Sequence, residues 1–439
     1  MTRILKPGPV DLSEYAPDAK NPRRLYGLPA EIRYCKRCIY SNQKPNSARE
    51  YEHTVETKKE TVEFDAQGIC AACRVAESKR DIDWDERERR LIELCDKHRR
   101  SDGHYDCLVP GSGGKDSFYA AHVLKYKYGM NPLTVTWSPH IYTEWGWRNF
   151  QAWMHAGFDN LLFTPNGRVH RLLTRLALER LLHPFQPFMM GQMYFPPKMA
   201  IQHRIPLVFY GENPTEYGNA TKGNVTALKD WSYFSTADKS QIFLAGTALS
   251  ELTDEFGVAP VDLEPFMPPD PQRMEETGVE VHYLGWYLRW HPQSNYYYAV
   301  EHGNFQAAPE RTAGTYSKYS SIDDKIDDLH YFTTYIKFGI GRATYDAAQE
   351  VRSDDITREE AMALVRRYDG EYPTRFEADN FAYLSLPSHE FPAASRLFEE
   401  PTMDRGYFLA LCDTFRSPHL WTFADGTWRL RRAPWDSND

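Results

Sequence analysis

Residues 107 to 117 constrain this chain more than any other stretch. A short apolar run (Cys107, Leu108, Val109) enters a Pro110-Gly111 turn, which continues as Ser112-Gly113-Gly114-Lys115-Asp116-Ser117. The pattern from Phe118 to Leu124 then reads as helix. Strand, glycine turn and helix in succession aim free backbone N–H groups and the positive end of a helix at an anion. Gly113 and Gly114 permit positive φ and let the backbone approach a phosphate with no Cβ in the way. Ser112 and Ser117 add hydroxyl donors, and Lys115 adds a mobile cation. The stretch predicts a phosphate site.

Around it the chain alternates. A charged amphipathic helix over 81–100 precedes the loop, and strands are expected at 133–137, 161–164, 206–210 and 279–284. Helices are expected at 149–156 and 168–182, and 243–255 also reads as helix. Such alternation predicts an α/β fold with a doubly wound parallel sheet, whose ligands sit beyond the carboxyl ends of the strands. That rule selects Ser138-Pro139-His140 after the second strand and the stretch from Gly211 to Asn219 after the fourth. Glu212 and Glu216 fall where a magnesium-pyrophosphate would lie; they read either as binders of a hard cation or ammonium, or as a solvated acidic loop.

Cys35-x-x-Cys38 and Cys70-x-x-Cys73, with 31 residues between them, have the spacing of a zinc ribbon. Four thiolates on two tight turns make a closed tetrahedral site, so the expected role is structural; an iron–sulfur cluster and two unrelated reduced pairs without metal are the alternatives. The segment between them is short and polar, so metal replaces a core. Four regions follow: an extended arm over 1–30, the ribbon over 31–80, an α/β phosphate domain over 81–300, and a mainly helical substrate or partner region over 301–439. A net charge of −9 argues against broad nucleic-acid binding, and no run approaches the length of a membrane span. The start of the chain lacks an apolar signal core, so a cytoplasmic location is expected.

Two later stretches carry candidate substrate residues. Between 283 and 298 many aromatics flank Arg289 and His291, suited either to stacking a base or sugar ring or to an aromatic core seam. From 314 to 344 an apolar stripe of Ile322, Ile326, Leu329, Phe332 and Ile336 predicts a helix. Its polar face carries Lys318, Lys325, Lys337 and Arg342, suited to phosphates, with Asp323, Asp324, Asp327 and Asp328 between them. Thr357 and Glu360 form a capping-box pattern for a further helix.

The loop differs from the ATPase P-loop, which needs four residues between its glycines. It resembles instead the Ser-Gly-Gly-x-Asp-Ser loop of the PP-loop ATP pyrophosphatases, which cleave ATP between the α and β phosphates and adenylate a carbonyl oxygen. That resemblance assigns Gly111, Ser112, Gly113, Gly114, Lys115, Asp116, Ser117 and Thr136 to ATP, with Lys115, Asp116 and Glu212 as catalytic groups and Mg2+ as a companion ion. The two knuckles, the loop, Tyr287-Leu-Arg-Trp-His-Pro-Gln293 and Ile322-Asp-Asp-Lys-Ile-Asp-Asp-Leu-His-Tyr-Phe332 together are similar to the N-acetyl sugar amidotransferases of bacterial surface-polysaccharide (O-antigen) synthesis. The likeness implies conversion of an acetamido group on a nucleotide sugar to an acetamidino group. It also implies ammonia supplied by a separate glutaminase and a cyclase-like subunit akin to imidazole-glycerol-phosphate synthase. None of Cys95, Cys107 and Cys412 has the setting of a glutaminase nucleophile, in keeping with a separate ammonia donor. A tRNA-modifying thiolase and a non-catalytic ATP-binding assembly module are the competing readings.

Overall fold

The computed structural model describes residues 7–219, 226–385 and 402–436. Strands β1 (Cys107–Pro110), β2 (Pro132–Trp137), β3 (Asp159–Phe163), β4 (Leu207–Tyr210) and β5 (Glu280–Tyr283) form one parallel sheet in the order β3-β2-β1-β4-β5. The chain runs outward from β1 to β3, returns past β1 to β4 and continues to β5. The strand order therefore reverses between β1 and β4, and the crevice at their carboxyl ends is where a doubly wound sheet binds ligand. Alternate residues feed two cores. Leu108, Leu133, Val135, Val208 and Val281 enter one, and Cys107, Val109, Leu207 and Phe209 enter the other.

Helix α1 (Ala71–Ser78) follows the second cysteine knuckle, and α2 (Trp84–His98) leads to the sheet. Helices α3 (Lys115–Tyr126), α4 (Glu144–Met154), α5 (Gly167–Leu181) and α6 (Gln186–His203) flank the strands. Helix α6 continues through Pro196 and Pro197, which remove two ladder donors. The Tyr210 hydroxyl, at 3.4 Å from the Gln192 carbonyl and 3.2 Å from that of Met193, shares its one proton between the two freed acceptors. A proline pair suggests a break in sequence, so this helix is not foreseen there.

Beyond β5, α7 (Pro292–Gly303) packs on α3. A helical region follows: α8 (Asp327–Phe338), α9 (Arg342–Arg352), α10 (Arg358–Tyr368), α11 (Glu377–Leu384) and α12 (Arg405–Thr414), with a hairpin of β6 (Trp421–Ala424) and β7 (Thr427–Leu430). The capping box at Thr357 and Glu360 is formed. Two expectations are corrected. The helix expected from Ile322 starts only at Asp327, because 314–326 is a strap whose end is pinned beyond the carboxyl ends of β1 and β2, where Lys325 N–H donates to the Ile141 carbonyl and Asp324 accepts from His140 N–H. Residues 243–255 hold a short hairpin (Phe243–Leu244 against Thr247–Ala248) before a helix over Leu249–Asp254, since Ala245 and Gly246 both adopt positive φ. The described part of the N-terminal arm lies on the C-terminal region: the hydroxyls of Tyr15 and Tyr26 donate to the carbonyls of Arg416 and Phe415, each at 2.8 Å.

Candidate functional site

The glycine loop sits at the strand-order reversal, with Gly114 as the N-cap of α3 and no side chain capping that helix. Two glycines are dictated by the protein itself. Gly113 has φ +87°, and a Cβ there would lie 2.5 Å from the Asn149 carbonyl of α4; a Cβ on Gly111 would strike Ser117 at 2.7 Å. Gly114 is different. Its φ of −67° suits any residue, and a Cβ would meet nothing nearer than Ser117 Oγ at 3.9 Å. That space opens into a cavity of about 160 Å3 lined by residues 112–116, Asn149, Asp323 and Arg342. The missing Cβ therefore serves something other than packing, and uncapped amides beside a positive helix end suit a phosphate.

The strap closes this pocket from the far end of the chain. Ser112 Oγ donates to Asp323 Oδ2 at 3.2 Å, and Thr143 N–H donates to the Asp323 carbonyl at 3.1 Å. Asp324 accepts from His140 N–H at 2.7 Å, and its carboxylate lies 2.6 Å from His140 Nδ1. A Cβ on Gly146 would fall 2.5 Å from Asp323 Cα, so α4 carries glycine where the strap crosses it. Burial and the neighbouring Asp324 raise the Asp323 carboxyl above its usual range.

Lys115 is buried and donates to Asp116, whose other oxygen accepts from Asn295 Nδ2 of α7 at 3.0 Å. Glu212, just past β4, accepts from Trp290 Nε1 at 3.3 Å and from the Tyr217 hydroxyl. Burial, with Asp116 adding to it and Lys115 opposing, pushes the Glu212 carboxyl up to about 7. Glu216 is bound by Lys79 Nζ at 2.9 Å. Thr136, expected among the nucleotide contacts, is 1% exposed and donates to the Gly111 carbonyl at 2.6 Å. It holds the entry of the loop from beneath.

The expected substrate residues do not gather at the loop. Lys318 Nζ donates to the Pro309 carbonyl at 2.8 Å, and Lys325 pairs with Asp379 at 2.7 Å. Arg289 is exposed; His291 caps α7 through Ser294 N–H at 3.1 Å and lies 3.2 Å from Asp355. Both line a separate cavity against α1 and α9. The aromatics near them pack as a core seam: Tyr119 meets Trp290 and Tyr298 edge-on, and Tyr296 stacks on Tyr319 at 4.2 Å. Of the four cations read on one polar helix face, Lys337 and Arg342 instead line buried space. With Glu212 they border a cavity of about 580 Å3 that also receives Lys44, Lys59, His183 and His330. Nothing in the sequence around Lys44 or Lys59 separates them from surface lysines.

The four cysteines converge. Their ligand atoms lie within 4.8 Å of one another, with Sγ–Sγ distances of 3.8 Å (Cys35–Cys73) and 3.7 Å (Cys38–Cys70). Tetrahedral bonds of ~2.3 Å give a sulfur–sulfur edge of ~3.8 Å, so the group fits one zinc ion and is too tight to enclose a multi-iron cluster. Such an ion would be closed to substrate and would hold the knuckles together. The ribbon is welded to the rest of the protein. Arg358 Nε of α10 donates to the carbonyls of Cys35 (3.3 Å) and Cys38 (3.1 Å), Ala343, Ala347 and Val351 of α9 share its core, and α1 packs on the turn at Pro214–Tyr217.

Residues 313–433 match the family model described as LPS biosynthesis protein WbpG-like, C-terminal domain. The strap, α8 to α12 and the terminal hairpin all fall inside this match. A stretch of 83 residues is 32% identical to the uncharacterized protein MJ1599 of Methanocaldococcus jannaschii, covering 19% of this chain and 29% of that protein. The match thus spans less than a third of that relative's length. The domain match supports the assignment to the polysaccharide-biosynthesis family that the motifs resemble, and among the described residues no helix is long and apolar enough to cross a membrane.

Proposed function

We propose that this chain, which carries the WbpG-like domain of LPS biosynthesis, is an ATP-dependent, AMP-forming amidotransferase. It converts the acetamido group of a nucleotide-linked N-acetyl sugar to an acetamidino group, with ammonia from a separate glutaminase and cyclase-like pair. One observation carries the reading: the strap of the polysaccharide domain, through Asp323, closes the pocket of the phosphate loop. A domain with no part in the chemistry has no reason to complete that pocket.

An amide carbonyl is a poor electrophile and its oxygen a poor leaving group. In the proposed reaction the amide oxygen attacks the α-phosphorus of ATP, the bond to the β-phosphate oxygen breaks, and an O-adenylated imidate forms. Pyrophosphate is received by Ser112, Gly113, Gly114 and Ser117, with Lys115 and Arg342 spreading its charge. Asp116 and Asp323 are the carboxylates at hand for a magnesium ion, which would neutralise phosphate charge. Ammonia then bonds to the imidate carbon and AMP leaves with the former amide oxygen. Glu212, titrating near neutrality, takes the proton that the attacking nitrogen sheds.

The thiolase reading is disfavoured by Cys95 and Cys107, which are buried in the core beside the sheet with their thiols pushed up by desolvation, opposite to a sulfur relay. Mass analysis of a reaction with ATP, magnesium, ammonium and a panel of nucleotide-linked N-acetyl sugars tests the proposal. The expected product has one oxygen replaced by NH. A phosphorylated sugar, or AMP formed without any sugar product, would refute it.

A further inference from the structure

The 580 Å3 cavity has a wall of cations that the phosphate loop does not use. Lys44 and Lys59 enter it from the ribbon segment and Lys337 from α8. None forms an ion pair with a described carboxylate. Lys44 Nζ donates to the Pro45 carbonyl at 3.2 Å, Lys337 Nζ to the Leu181 carbonyl at 2.6 Å, and Lys59 Nζ lies 3.5 Å from His53 Nδ1. Of the carboxylates lining the cavity beside Glu212, Glu50 acts on Lys59 and Lys337 from a distance and is already engaged by His53 at 3.4 Å and His183 at 3.9 Å, and Asp346 is paired with Arg342 at 3.0 Å. The wall also holds His330, whose Nδ1 is sealed from solvent with no hydrogen-bond partner.

Lys44 and Lys337 are 2% and 4% exposed, and desolvation pushes both down to about 7. Burying ammonium groups with no carboxylate in ion-pair contact destabilises a fold, and apolar side chains of similar size would fill this space at less cost. The arrangement makes sense for a wall that meets an anion. Arg342 lines both this cavity and the phosphate pocket, and Glu212 lies on its border. A ligand anchored on the lysines therefore reaches toward the reacting groups.

We propose that this cavity is the acceptor site and that Lys44, Lys59 and Lys337 bind an oxyanion of the acceptor, phosphoryl or carboxylate. The orientation of the acceptor, with its acetamide toward Glu212 and the glycine loop, rests on the amidotransferase reading; the anion site does not.

Calorimetric titration with two acetamido sugars separates the sources. UDP-N-acetylglucosamine offers phosphoryl oxygens and N-acetylneuraminic acid offers a carboxylate. At least one should bind the intact protein, and the one that does identifies the oxyanion. Lys59→Gln and Lys337→Gln should each weaken that probe about tenfold or more, with ATP affinity unchanged. Lys337→Arg should restore binding, while Lys115→Ala should weaken ATP and leave the probe alone. Lys59 is only half-buried, so its variant keeps the test open should Lys337→Gln melt early. Neither probe binding, or both glutamine variants binding as the parent does, would overturn the site. Probe binding that depends on the lysines in a protein that never forms AMP would uphold the site and end the amidotransferase reading instead.

Discussion

The phosphate pocket and the basic cavity share Arg342 but are built in opposite ways. The pocket's anion-facing donors are backbone, from one short segment between β1 and α3 with two glycines fixed by close approach and a third that leaves room, and the strap only closes its rim. Its donors are peptide groups that would be unpaired at any helix start, so building it costs the fold little. The cavity is made of side chains from 44 to 59 in the ribbon segment, from the end of α5, and from α8. Its ammonium groups are desolvated, and only distant packing keeps them there. Backbone donors of the first kind can be carried on one motif, whereas a wall of buried cations depends on the whole fold.

The contrast can be broken most forcefully at the four cysteines. Lys44 and Lys59 hang on the cysteine-held segment and the glycine loop does not. Structural zinc contributes ~10 kcal/mol to small ribbon folds. Chelation or Cys38→Ser should therefore lower Tm and abolish acceptor binding, while ATP binding falls far less. Calorimetry on the stripped protein checks this, and equal loss of both ligands would show that the two regions are not separable.

Next in size is Gly114→Ala. Its Cβ meets no protein atom closer than 3.9 Å, so Tm should hold, yet it fills the cradle. AMP formation should drop ~100-fold or more, the loss expected for a displaced charge-stabilising donor. Gly113→Ala, forced against the Asn149 carbonyl at positive φ, should lower Tm as well. Comparing melting curves and rates for the pair separates a glycine the ligand needs from one the fold needs.

A smaller effect is read in protons. Burial and the nearby Lys59 hold Lys337 down to about 7, with Glu50 opposing. Its folded value lies below the ordinary 10.5, so the folded protein binds fewer protons, and this group's contribution to stability improves as pH rises from about 7 toward 10.5. An anion on Lys337 favours its charged form. Acceptor binding at about pH 8 should take up protons, and at about pH 6 it should take up none at this group. Calorimetry in buffers of different ionisation enthalpy measures the difference. The smallest effects belong to Lys318→Ala and Lys325→Ala, whose surface contacts contribute under ~1 kcal/mol; acceptor affinity should be unchanged by either.

Much of the frame was legible in the sequence. The five strands fall within a residue or two of their expected places, because each is a short apolar run bounded by breaks. The cysteine knuckles meet as their spacing implies. Helix α6 was hidden by Pro196-Pro197, whose cost is offset by a hydroxyl from β4 that no local pattern announces. The stripe from Ile322 points the other way: Ile322 and Ile326 are buried, but in a strap of bends and turns, since apolar spacing cannot tell a helix face from an irregular segment pinned by hydrogen bonds. At the site, the loop could be read because its donors are contiguous. Lys44, Lys59 and His330 could not, because a cation's surroundings are decided by segments far away in sequence. The aromatic neighbours that make Arg289 and His291 look like a ring-stacking site pack on one another instead.

In the proposed reaction the glycine loop receives the two outer phosphoryl groups of ATP. This role is tested most directly by 31P NMR of the protein turning over ATP with ammonium and a nucleotide-linked N-acetyl sugar. AMP and pyrophosphate should appear together, in equal amounts, only when sugar and ammonium are both present, and should vanish in Lys115→Ala. Release of ADP and a single phosphate, or turnover undiminished in that variant, would contradict it.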